Sequence, residues 1–158
     1  MCVRFASLIS AISFRSFLCL RLERKVKVNE VLFEGEGVML SVHVDNVEDV
    51  AVVQVEGRIV HSDAAYTLRN AVTLQTDARA VVLDLSGVQA LEGGGLGMLV
   101  FLRQWARERG IQLKLFNPSR FVRQRLERSG LSRIFDVVSI RDVLALFGSD
   151  KGRYAMAS

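Results

Sequence analysis

The sequence predicts an α/β domain: a mixed sheet of four to five strands with about four helices packed on it. Three observations carry this reading. Two valine-rich runs, VAVVQVEGRI at 50–59 and AVVLDLSGV at 80–88, have the β-branched content of buried strands. Between and after them lie segments whose apolar residues recur at helical spacing. The segments follow the order β-β-α-β-α-β-α-(β)-α, and its central strand–helix–strand unit implies a parallel crossover.

The elements follow in turn. LSVHVD (40–45) alternates apolar and polar residues, as a half-buried strand does. NVED turns the chain into the strand at 50–59, and so short a connection favours a hairpin. That second strand is so rich in valine that burial on both faces is expected. Ser62 and Asp63 are good N-caps for a helix whose stripe runs through Ala64, Leu68, Ala71, Val72 and Gln75. The strand at 80–88 comes next. A helix over about 95–109 is apolar all round in its first half and polar in its second, and Gly110 ends it. IQLKLF (111–116) alternates strictly. Pro118 lies near the first turn of the next helix, where Val122 and Leu126 share a face and Gly130 closes the element. IFDVVSI is a short extended piece. Ser139 caps a last helix, Arg141–Phe147, and residues 149–158 read as a flexible tail.

The chain has 158 residues, enough for one domain with a real core. Half the residues are hydrophobic and 24% are charged, a globular balance. A net charge of +4 is too small to call for nucleic acid. The arginines at 120, 123, 125 and 128 lack interleaved aromatic residues and read as a solvated face. Cys2 and Cys19 are the only cysteines, so neither a disulfide framework nor a zinc site is expected. His43 and His61 have no ligand spacing and read as ordinary surface or edge residues. No metal and no cofactor are expected.

Residues 1–38 differ from the rest. Their apolar bias has no clean period, and the uncharged run between Arg4 and Arg15 is far short of the ~20 residues that span a bilayer. Arg15 and Arg21 interrupt any signal-peptide pattern. Glu34-Gly35-Glu36-Gly37 implies purine-rich codons just upstream of Met39, as a ribosome-binding site has. The segment is therefore read as an extension, either disordered or a mis-called leader, with the domain at 39–148.

ALEGGGLGML (90–99) raises the question of chemistry. It joins a strand to a helix, as phosphate-cradling loops do. A Walker A loop needs Lys and Ser/Thr after its last glycine, and neither follows Gly97. A dinucleotide fingerprint fails too: the sixth residue from Gly93 is Met98, and from Gly95 it is Val100. Glu92 beside the loop would repel an anion. No nucleophile, base and carboxylate set is apparent, so no catalytic residue is expected. Asp84, near a strand end, is one carboxylate without a partner and reads as bonded to nearby backbone.

VVLDLSGVQALEGGGLGMLVFLRQWARERGIQLKLFNPSRFVRQRLERSGLSRIFDV resembles the STAS domain family of bacterial anti-sigma factor antagonists, over about residues 40–148. LDLSGV at 83–88, Gly95-Leu96-Gly97 and VRQRLERSGLSRIF carry the likeness. The resemblance implies a single STAS-like fold and a cytoplasmic, non-catalytic protein-interaction module. Its partner would be an anti-sigma factor or GHKL-type serine kinase, with no nucleic acid and no direct membrane insertion. The family's aspartate falls at Glu92, its phosphorylated serine at Gly93 and the following Ser/Thr at Gly94. This chain therefore has no phosphoacceptor there, and the role does not transfer to Ser62 or Ser86. Docking is expected through Ser62, Asp63, Glu92, Gly93, Gly94, Gly95, Leu96 and Met98. The alternatives are a STAS subunit of an ABC-type lipid transporter and a nucleotide-sensing STAS domain.

Overall fold

Six strands form one sheet, side by side in the order in which the chain makes them. The computed structural model describes residues 27–35, 38–60 and 62–148, with side chains from Leu40 onward. Strand β1 (Lys27–Gly35) is antiparallel to β2 (Val38–Val47), and β2 is antiparallel to β3 (Val50–Ile59). Strands β4 (Ala80–Leu91), β5 (Gln112–Phe116) and β6 (Val137–Val138) continue in parallel from β3. Four helices accompany them: α1 (Ser62–Thr73), α2 (Gly93–Glu108), α3 (Arg120–Arg128) and α4 (Ile140–Gly148). From residue 38 onward this is the expected mixed five-stranded α/β domain. Strand β1 adds a sixth, edge strand from within the N-terminal extension. Residues 1–26, His61 and the tail at 149–158 lie outside the described residues.

Alternation along the strands sorts the side chains into two cores. Val42 and Val44 of β2, Val53 and Val55 of β3, and Leu83 and Leu85 of β4 face one side. Against them pack Leu68 of α1, Leu99 and Leu102 of α2, and Val122 and Leu126 of α3. Burying each of these leucines contributes on the order of 1.5–3 kcal/mol. The other side carries Val50, Val52, Ala80 and Val82, covered by Val143, Leu146 and Phe147 of α4. Three helices thus share one face and one helix covers part of the other. Strand β3 is buried on both faces only over Val50–Val53; beyond α4's reach, Gln54, Glu56 and Arg58 are at least partly exposed. The valine run therefore overstated how far two-sided burial extends.

Helix ends follow local chemistry. Gly110 and Gly130 adopt φ of 69° and 71°, the left-handed geometry in which a residue with Cβ is strained, and they stop α2 and α3. Glu48, at φ 56°, turns β2 into β3 through the expected hairpin, whose loop is two residues long. Helix α3 begins at Arg120, two residues after Pro118. Its cap is Ser119, whose Oγ accepts from the Val122 N–H at 3.4 Å and donates to the Val88 carbonyl at 2.6 Å. One hydroxyl therefore both caps α3 and ties it to β4. Ser139 does cap the last helix, in a reciprocal box with Asp142: the Ser139 N–H and Oγ–H both reach Asp142 Oδ2, at 2.8 and 2.7 Å. At the opposite end of the sheet, Arg79 pairs with Asp49 at 2.7 Å and donates to the Leu146 carbonyl at 3.0 Å, which locks α4 down.

Candidate functional site

Parallel pairing of β3 and β4 decides where the two helix heads emerge. Ile59, the last residue of β3, lies in register with Leu91, the last residue of β4. Each strand then feeds a helix within three residues, so Ser62 and Asp63 at the head of α1 lie near Glu92 and Gly93 at the head of α2. The Glu92 N–H donates to the Ile59 carbonyl at 3.1 Å and joins the two strand ends. Strand β4 reaches this line only because it continues past residue 88. It takes up an extra residue between Asp84 and Gly87, opposite Gln54 and Glu56, and another between Val88 and Ala90, opposite Gly57 and Arg58.

The glycines of the head are not equivalent. A Cβ on Gly95 would lie 2.5 Å from Leu91 Cδ1, 2.8 Å from Ile59 Cγ2 and 2.9 Å from the Ile59 carbonyl oxygen. No side chain fits there, so Gly95 lets α2 sit directly on the strand ends. A Cβ on Gly93, Gly94 or Gly97 would meet nothing within 4 Å. These three are exposed, and Gly95 is buried beneath them. Helix α2 starts at Gly93, two residues earlier than the apolar pattern suggests. Glu92 is its N-cap in extended conformation, but the carboxylate makes no capping hydrogen bond. The first-turn N–H groups of Gly93 and Gly94 are thus donors without an intrahelical acceptor. They stand on a surface with no side chains.

The other sequence-selected residues take distinct places. Ser62, Asp63 and Glu92 are exposed around the head. Leu96 and Met98 are partly buried against the larger core, so only part of each is open to a partner. Val100 and Phe101, also in the half of α2 read as apolar all round, are exposed. His43 is half-buried on β2, an inner strand because β1 flanks it, with Nε2 2.9 Å from Ser41 Oγ. Asp84 lies mid-strand in β4 rather than at its end, and is 2% exposed. Its Oδ1 accepts from the Ser86 N–H at 3.0 Å. Burial raises its pKa above the ordinary carboxylate value; the Ser86 hydrogen bonds oppose the rise and the nearby Glu56 charge adds to it. Among the described residues, no three His, Cys, Asp or Glu side chains converge on a possible metal position, and no helix is long and apolar enough to cross a membrane.

The sequence reading missed what flanks the head. Arg125 of α3 donates from Nε to the Leu91 carbonyl at 3.1 Å, just before Glu92. Phe121, Gln124 and Arg128 line the same recess. Residues 121, 124, 125 and 128 form one helical stripe, opposite the buried Val122 and Leu126, and that spacing is the signal that could have found them.

The sequence matches the STAS domain family over residues 41–145. The chain belongs to the STAS domain family. Solved structures share this STAS fold. The anti-sigma factor antagonist SpoIIAA in its unphosphorylated form matches with a TM-score of 0.58 at 15% identity, over 68% of this chain and 96% of that one. An anti-sigma factor antagonist from Mycobacterium paratuberculosis matches at 0.59 and 22%, over 68% and 93%. The murine anion transporter Slc26a9 matches at 0.53 and 15%, over 91% of this chain and 26% of the transporter. No curated protein sequence matches the chain.

Two outcomes test this geometry. Gly95→Ala drives a methyl into Leu91 and Ile59, and is expected to cost about 1–3 kcal/mol in urea denaturation. Gly94→Ala, with open space, is expected to be neutral or to stabilise by up to about 1 kcal/mol through helix propensity. Equal destabilisation by both would refute the distinction. The second concerns Asp84. A carboxyl whose folded pKa lies above its unfolded value holds its proton longer in the folded state, so stability falls as pH rises from the unfolded value through the folded one. Asp84→Asn is expected to remove that decline from the stability–pH profile, read by denaturant midpoints just above the ordinary carboxylate range.

Proposed function

We propose that this STAS domain is a non-catalytic protein-interaction module of the anti-sigma factor antagonist kind, acting in the cytoplasm. It docks an anti-sigma factor or GHKL-type serine kinase through the paired helix heads. The observation that carries the reading is the contrast within the glycine run: Gly95 is glycine because packing demands it, whereas Gly93 and Gly94 have room for any side chain and carry none. A partner backbone can approach such a surface closely, and the unpaired N–H groups of the first turn can donate to it. Glu92, Ser62 and Asp63 supply polar contacts at the rim. The exposed parts of Leu96 and Met98 supply apolar ones, and Gly95 holds the surface in place.

In members that switch by phosphorylation, a phosphate at this helix head adds negative charge and blocks docking. Gly93 and Gly94 occupy the matching positions and offer no hydroxyl. The module is therefore permanently competent to bind, and any control acts through the partner.

Affinity capture from native cells with identification by mass spectrometry tests the reading. Wild-type protein is expected to retain a GHKL-fold kinase or anti-sigma factor, and Gly94→Trp to lose at least tenfold of it while keeping its circular dichroism spectrum. Undiminished capture by Gly94→Trp would show that the partner docks elsewhere. Capture of a transport ATPase would assign the domain to a transporter complex instead.

A further inference from the structure

Beside the head of α2 lies a recess of ≈ 280 Å³, floored by Gln89–Leu91 and walled by α3. Phe121 leaves 60% of its area exposed at the wall, directly beside the two arginines of the recess. Arg125 is held over the floor by its Nε bond to the Leu91 carbonyl, and its two terminal nitrogens have no partner among the described residues. Arg128 lies one turn further along. Helix α3 carries Arg120, Arg123, Arg125 and Arg128 against the single acid Glu127, and none of the four arginines has a carboxylate within salt-bridge distance among the described residues. Glu92 lines the same recess without pairing to either arginine.

We infer that this recess receives an acidic segment of the protein partner, with carboxylates on Arg125 and Arg128 and an apolar side chain on Phe121. The inference rests on the docking reading above and extends the contact from the helix heads along α3. Three features select this occupant. A guanidinium already anchored through Nε presents its remaining N–H groups in a fixed fork, which suits a carboxylate. An exposed aromatic ring beside arginines is the composition of an interface hot spot. The recess is also continuous with the helix head, since Leu91 and Glu92 border both. A nucleic acid fits less well, because one ring is no stacking row.

The probe is a random library of displayed 12-residue peptides, sorted on the immobilised full chain and counter-sorted on Arg125→Glu/Arg128→Glu. Selected peptides are expected to carry two or more Asp or Glu beside an apolar residue. They are expected to bind at least tenfold more weakly to the double variant and to Arg128→Glu alone, which leaves the Leu91 hydrogen bond intact. Arg107→Glu, an equal charge change away from the recess, should leave binding within twofold, and thermal melts confirm that each variant folds. Three results overturn the inference: no acidic enrichment, binding indifferent to Arg128→Glu, or equal loss with Arg107→Glu. Sedimentation with phosphatidylglycerol vesicles is the cross-check; vesicle binding abolished by Arg128→Glu, with no acidic peptides selected, assigns the recess to a membrane and likewise overturns it. Failure to select acidic peptides, with partner capture still lost in Gly94→Trp, removes this inference alone. Loss of the Gly94→Trp effect removes the docking reading beneath it.

Discussion

The contact of Gly95 with Ile59 and Leu91 is the constraint on which the site depends. Those two side chains end the adjacent parallel strands β3 and β4, and they leave no space for a Cβ. The first turn of α2 can therefore rest directly on the sheet. Everything around it follows from that seat: the Glu92 N–H closes onto the Ile59 carbonyl, Arg125 reaches the Leu91 carbonyl, and the head of α1 emerges alongside. A larger residue at 95 lifts the helix and separates these parts together.

The two cores explain why this end of the sheet is rigid enough to present such a surface. Helices α1, α2 and α3 share one face; α1 packs against α2 as well as against the strands, and α3 packs against β4. Helix α4 is placed at the opposite end, held through Arg79 to the Asp49 turn. The end that carries the helix heads thus has few obligations beyond its own packing. Exposed glycines at 93 and 94, and a partly uncovered ring at 121, are tolerable there because the core beneath them is complete.

Much of this was legible before the fold was known. Valine-rich strands, the Val122–Leu126 stripe and the capping serine at 139 all express strong local preferences, and they appear where periodicity puts them. The failures have physical causes. Strand β4 runs to Leu91 because two bulges each absorb one extra residue, between Asp84 and Gly87 and at Gln89, and bulges erase the period-two signal. Helix α2 begins at Gly93 because tertiary seating outweighs the poor helix propensity of three glycines. Helix α3 opens at Arg120 behind its cap Ser119 rather than with Pro118 in its first turn, since the Ser119 hydroxyl also satisfies the Val88 carbonyl, a contact 31 residues away that no local pattern contains. The distinction between Gly95 and its neighbours was invisible for the same reason: identical letters differ only in what a Cβ would meet. Strand β1 had no legible period, and its pairing with β2 places it where composition suggested no order.

Hydrogen–deuterium exchange of the full-length protein, alone and saturated with its captured partner, tests the central claim most directly. The account predicts that the amides of Gly93 and Gly94 exchange quickly in the free protein, since they lack acceptors. It predicts that peptides spanning residues 92–98 and 62–66 slow together on binding. Unchanged exchange at both helix heads, with protection confined to another face of the domain, would contradict it.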